Sequence, residues 1–142
     1  MSDAKQIRIT FLQVQSNAMK RDLLVAKATE YFEKSTPLLF RLPNQPALDY
    51  LDLLLWRYPA DSFLPHAIHD RPCNTLITLT ATKEANPNQA HTIFNLTADP
   101  VANTDHFFSQ IYEFEDLSLP QNPIVKEHYL TYKKRGYTIV TA

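Results

Sequence analysis

Apolar residues in this chain switch between a period of two and a period near 3.6, and that alternation constrains its fold more than any other feature. Gln6 to Val14 alternates, with Ile7, Ile9 and Phe11 on one face, and reads as a first strand. Ser16 and Asn17 can cap a helix over 18–34, where Leu24, Ala28, Tyr31 and Phe32 recur at helical spacing. Past Pro37, the residues Leu38, Leu39, Phe40 and Leu42 form a short apolar strand. A second helix starts at Asn44, with Pro46 in its first turn and Leu48, Leu51, Leu54 and Leu55 on one stripe. It ends near Tyr58, because Pro59 disfavours helical geometry in the residue before it. TLITLT (75–80) and TIFNLT (92–97) read as strands joined by the polar segment ATKEANPNQAH, and Ile111 to Phe114 as another short strand. The last helix has Asn122 as cap, Pro123 at its first position and Gly136 just past its end; the YTIVTA tail reads as extended.

Strands alternating with helices predict a three-layer α/β domain with a largely parallel central sheet. The two central strands with no helix between them predict a local antiparallel hairpin. At 142 residues the chain reads as one domain, 1–142, long enough to bury roughly two-thirds of its unfolded surface.

Composition removes several functions. Phosphate-cradling loops need glycines so that backbone N–H groups can approach the anion, and this chain has one glycine, Gly136. Neither a dinucleotide fingerprint nor a P-loop can exist here. Basic and acidic side chains number 14 and 15, and this balance argues against broad or sequence-specific nucleic-acid binding. One cysteine, Cys73, excludes an internal disulfide and fits a reducing compartment. No apolar run reaches the ~18 residues of a membrane span, and the opening MSDAKQ lacks a signal peptide's apolar core. The expectation is a cytoplasmic protein that needs no membrane and no cofactor.

Candidate chemistry is sparse. His66, His69 and Cys73 are spaced H-x2-H-x3-C, but zinc wants further ligands and only Asp70 lies near. Cys73 beside a histidine could be a nucleophile, yet only Arg71 is there to activate it. Ser62 lacks the glycines of a nucleophile elbow. Asp49 with Asp52, and Glu113 with Glu115, have the spacing of solvated faces.

Two surfaces carry more. From Asn122 onward, Lys126, Lys133, Lys134 and Arg135 stand against Glu127 alone, and Lys126, Tyr129, Leu130 and Lys133 fall within roughly one 100° stripe. Cations near a helix C-terminus complement its dipole without any partner, but Lys126 sits in the first turn, where the dipole disfavours it. A cationic rim around a tyrosine suits a short acidic peptide ending in an apolar residue. Trp56 lies at the edge of the second helix's apolar stripe, and Phe63 and Leu64 follow in a loop between Pro59 and Pro65. Rigid aromatics in such a loop either seal the core edge or anchor a partner.

The run LDLLLWRYPADSFLPHAI, with VKEHYLTYKKRGYTIVTA at the far end, resembles the chi subunit of the bacterial DNA polymerase III holoenzyme. A W-x-x-P-x-x-S-F-x-P-H pattern is matched by Trp56, Pro59, Ser62, Phe63, Pro65 and His66, and a Y-x-x-Y-x-x-x-G-[FY] close by Tyr129, Tyr132, Gly136 and Tyr137. The resemblance spans nearly the whole chain and is weakest over about 81–106. It implies a Rossmann-like fold without catalytic activity, and an adaptor with two partners. One is the psi subunit of the clamp loader, docking at Trp56 and Phe63 with Leu64 and Ile68 beside them; a repair helicase would use the same surface in turn. The other is the acidic C-terminal tail of single-stranded-DNA-binding protein, met by Lys126 and Tyr129 with Lys133 and Lys134 nearby. The family more often carries Arg where this chain has Lys126, so a bidentate fork is lost. Glu115 places a negative charge where an apolar pocket residue is expected, and Lys133 can compensate. The competing reading from another class is a small α/β enzyme, metal- or thiol-dependent, using His66, His69 and Cys73.

Overall fold

Alternation in β1 (Arg8–Val14) sends Ile9 and Phe11 to one side of a sheet and Leu12 to the other. The computed structural model describes residues 6–57, 64–102 and 108–142. Within these, α1 (Asn17–Glu33), β2 (Leu38–Arg41) and α2 (Gln45–Arg57) come next, then β3 (Ala67–Ile68), β4 (Ile77–Thr80), β5 (Thr92–Asn95) and β6 (Gln110–Asp116). The helix α3 (Pro123–Lys134) and the strand β7 (Thr138–Thr141) complete the order. The strands lie side by side as β3-β4-β2-β5-β6-β1-β7, every neighbouring pair parallel.

One face of this sheet is covered by α1 and α2: Leu24, Ala28, Leu48, Leu51 and Leu55 pack on Leu38, Phe40, Leu79 and Phe94. The other face carries Ile9, Phe11, Leu39, Ile93 and Ile111, covered by Tyr132 of α3 and by Ala90, Val101 and Phe108 from irregular segments. The result is a three-layer, Rossmann-like α/β fold. Among the described residues no helix is long and apolar enough to cross a membrane.

The hairpin expected between 75–80 and 92–97 does not form. β4 and β5 flank β2 on opposite sides, both parallel to it. A parallel return needs about a dozen residues, and the polar segment 81–91 supplies them. Arg41 donates to the Ala85 carbonyl (3.0 Å) where the segment leaves the sheet. Asn88 donates to the Leu38 and Leu76 carbonyls (3.2 and 3.0 Å) where it reaches the strand starts. Amides that read as solvent loop tie a crossover to the sheet. The two-residue strand β3, too short to show a pattern, was not legible, and β6 is longer than its apolar run.

The helices α1 and α3 end alike. Ser16 Oγ accepts from Met19 N–H at the start of α1 (3.1 Å) and Asn122 Oδ1 from Ile124 N–H at the start of α3 (3.0 Å). At the far ends Thr36 N–H donates to Tyr31 O (2.9 Å) and Tyr137 N–H to Tyr132 O (3.2 Å). In each case the residue between turns left-handed, Ser35 at φ 53° and Gly136 at φ 81°.

Candidate functional site

The last helix is anchored by His128 and Tyr132, four residues apart and both buried, so Lys126, Tyr129, Leu130 and Lys133 face outward and are exposed. Beside them β1, β6 and the 117–122 turn enclose a cavity of about 450 Å³, lined chiefly by Phe11, Glu115, Leu117, Leu119, Lys126 and Tyr129. The Tyr129 and Phe11 rings lie 6.3 Å apart, and Lys133 Nζ sits 5.8 Å from the centre of the Tyr129 ring. Lys134 is exposed and does not line the cavity. Lys126 and Tyr129 therefore line the cavity, Lys133 reaches it only across the Tyr129 ring, and Lys134 stands apart from it.

Carboxylates outnumber cations on that wall. Glu115 accepts from Gln13 Nε2 at 3.2 Å. Asp116 accepts from the Ser118 hydroxyl (2.6 Å) and backbone N–H (3.0 Å) and pairs with Lys20 (3.0 Å). These donors, Ser118 first, hold the Asp116 carboxyl down at about 2. The Ser118 bonds also shape the turn that presents Leu117 and Leu119, both exposed.

Behind the cavity lies a feature that sequence reasoning assigned to solvent. Glu113 is 5 % exposed, not on a solvated face. Its Oε1 lies 2.5 Å from His128 Nδ1, and its Oε2 accepts from Asn95 Nδ2 (3.0 Å) and from the Tyr132 hydroxyl. His128 Nε2 reaches the Ala98 carbonyl at 2.8 Å, and Tyr132 accepts from Val101 N–H at 2.8 Å. Burial pulls the His128 imidazole down, but its bond to Glu113, the charge of Glu113 and the Ala98 carbonyl together leave it raised. Burial first, then the Glu113 charge, raises the Tyr132 phenol.

The second surface lies on α2. Leu48, Leu51 and Leu55 face the core, leaving Tyr50, Leu53 and Trp56 on the opposite side, 57 %, 47 % and 42 % exposed. The Trp56 ring rests on His66, with centroids 4.3 Å apart. Ile68 is exposed on the edge strand β3, whereas Leu64 is 8 % exposed and belongs to the core. Phe63, with Pro59 and Ser62, lies outside the described residues. Sequence reading missed Tyr50 and Leu53; their spacing with Trp56, three residues each time, was the available signal.

His66 and Cys73 of the enzyme reading are each engaged with other partners. His66 engages Leu64 O through Nδ1 (2.6 Å) and Asp52 Oδ1 through Nε2 (2.9 Å). Cys73 Sγ meets Thr78 Oγ1 at 3.7 Å, and its N–H donates to Pro87 O. Among the described residues, no three His, Cys, Asp or Glu side chains are grouped to hold a metal.

A family model described as DNA polymerase III chi subunit, HolC, matches residues 7–140. No match to a curated protein is found.

Proposed function

The chain belongs to the DNA polymerase III chi subunit family, and on that footing we propose that it is a non-catalytic replisome adaptor with two docking surfaces. The cavity beside α3 takes the acidic C-terminal tail of single-stranded-DNA-binding protein. The outer face of α2 with the edge strand β3 takes the psi subunit of the clamp loader.

The observation that carries this reading is the cavity itself. Phe11, Leu117, Leu119 and Tyr129 give it an aromatic and aliphatic share of lining beside the charged Glu115, Asp116 and Lys126, and its volume of about 450 Å³ accommodates a phenyl side chain with room for the residue before it. Lys126 on the wall and Lys133 over Tyr129 supply charge for carboxylates upstream of such a terminus. For psi, the support is the exposed apolar stripe Tyr50, Leu53 and Trp56 with Ile68.

The test is fluorescence polarisation with a labelled acidic peptide ending in Ile-Pro-Phe, against wild type, Lys126→Ala and Trp56→Ala. Binding at roughly micromolar Kd, about −8 kcal/mol, lost without the terminal Phe or without Lys126 and indifferent to Trp56, is expected. Equal binding of the peptide lacking its terminal Phe would sink the cavity assignment.

A further inference from the structure

Taking the peptide reading of the cavity as given, we propose that Glu113 and His128 are positioning residues for it: one proton held between them seats α3, and its loss weakens capture of the acidic peptide.

The geometry places the pair directly behind the cavity. Glu113 stands on β6 opposite Phe11 and two residues before Glu115, both of which line the cavity. His128 stands on α3 next to Tyr129 and two residues after Lys126, which form the facing wall. Any change in the Glu113–His128 separation therefore moves one wall against the other.

Each atom of the pair has a fixed donor or acceptor need. Glu113 Oε2 is occupied by the donors Asn95 Nδ2 and Tyr132 O–H. His128 Nε2 faces the Ala98 carbonyl, which can only accept, so that nitrogen carries hydrogen. At 2.5 Å, His128 Nδ1 and Glu113 Oε1 must then have a proton between them, whichever of the two owns it. Removing it sets a carboxylate oxygen against an imidazole lone pair. The neutral imidazole can keep the Glu113 bond only as its Nδ1–H tautomer, which leaves the Nε2 lone pair against the Ala98 carbonyl. Either way one of the bonds that seat α3 is lost.

The other groups around the imidazole do not replace that proton. On α3 these are Tyr132, with its ring 6.1 Å away, and Glu127. From β5 it is the Asn95 amide, and from the following segment the Ala98 carbonyl. Across the adjoining cleft lie Lys20 and Asp116, which pair with each other at 3.0 Å. Arg135 donates to the Val101 carbonyl at 2.6 Å. The raised imidazole places the loss above the ordinary histidine value of 6.5.

Glu113→Gln is the discriminating variant. A glutamine carbonyl can still accept from Asn95 and Tyr132, while its amide donates to a neutral His128, so every bond persists without a titrating proton. The experiment measures binding of the Ile-Pro-Phe peptide from about pH 6 to about pH 9 for wild type and Glu113→Gln, together with NMR titration of the His128 ring and the Lys126 and Tyr129 amides. Wild-type affinity should fall as pH rises, by up to about tenfold for each unit by which bound peptide raises the pair's titration midpoint. Glu113→Gln should give a flat profile, and the two amides should shift with His128. A falling profile retained in Glu113→Gln, or amides indifferent to the His128 titration, overturns the inference. If the wild type binds no peptide at any pH, the docking reading fails by itself, and the amide titration alone decides whether the pair positions the cavity.

Discussion

The indole of Trp56 rests against the imidazole of His66, ring centroids 4.3 Å apart and planes 45° from each other. Trp56 is thus an exposed aromatic that is nonetheless held in place. Its support is fixed on both sides: Asp52, one turn back on α2, takes His66 Nε2 at 2.9 Å, and the Leu64 carbonyl takes Nδ1 at 2.6 Å. A rigid aromatic loses little entropy on docking, which is what a partner anchor requires.

Removing that support should be visible without any partner. Trp56 is the chain's one tryptophan, so its emission reports this contact alone. His66→Ala should shift the emission to longer wavelength and lower its anisotropy as the ring becomes mobile in water. It should also destabilise the fold by about 1–3 kcal/mol, because the Leu64 carbonyl and the partly exposed Asp52 carboxylate lose their partner. Unchanged emission would mean that the ring is held by α2 alone.

The two left-handed helix ends give a matched pair of stability tests. Ser35 adopts φ 53° with a side chain, and Gly136 adopts φ 81° with nothing within 4 Å of where a Cβ would stand. Backbone preference is the whole difference at Gly136, so Gly136→Ala should cost about 1 kcal/mol and Ser35→Gly should gain up to about 1 kcal/mol. Thermal unfolding of both variants reads this directly; a stabilising Gly136→Ala would contradict the cap geometry.

Features set by neighbours in sequence were legible before the structure, and those set by distant partners were not. Asn122, Pro123 and Gly136 announce both ends of α3 because capping is satisfied within one turn. The stripe Leu48, Leu51 and Leu55 announces the buried face of α2 for the same reason. The parallel return between β4 and β5 depends instead on Asn88 meeting carbonyls of Leu38 and Leu76. Glu113 and Glu115 share a strand face and look alike in sequence. α3 covers only the first, and what makes its burial tolerable is Asn95, His128 and Tyr132, each 15 or more residues away. On the site, the stripe of Lys126, Tyr129 and Lys133 was readable from helical spacing, whereas the cavity it borders requires β1 and the 117–122 turn.

Glu115 should limit peptide affinity. It lines the cavity with one hydrogen bond, from Gln13, and among the described residues no ion pair to it is closed. An acidic peptide therefore meets an opposing charge that Lys133, 5.8 Å from the Tyr129 ring, only partly offsets. Glu115→Gln should tighten peptide binding by about 0.5–1 kcal/mol, most visibly at low salt, since exposed pairs are screened. An affinity unchanged at low ionic strength would place the peptide's carboxylates away from this side chain.

The stability of the protein alone should also record the buried pair. His128 is raised above its unfolded value of about 6.5, so its contribution is complete below that pH and is lost as pH rises through the folded value. The buried phenols do not interfere there: Tyr31 is pushed up to about 12, by burial first and then by Tyr112, and Tyr132 is raised as well. Their contributions are lost only above about pH 10. The melting temperature of wild type should therefore decline as pH rises above about 6.5, while Glu113→Gln, which needs no shared proton, should decline less. His128→Ala should be worse than either, costing about 3–5 kcal/mol, because it leaves the Glu113 carboxylate buried opposite nothing that carries charge. Thermal unfolding across that range, with the three proteins side by side, separates the possibilities. Parallel pH profiles for wild type and Glu113→Gln would show that the proton between Glu113 and His128 contributes nothing to holding α3 on the sheet.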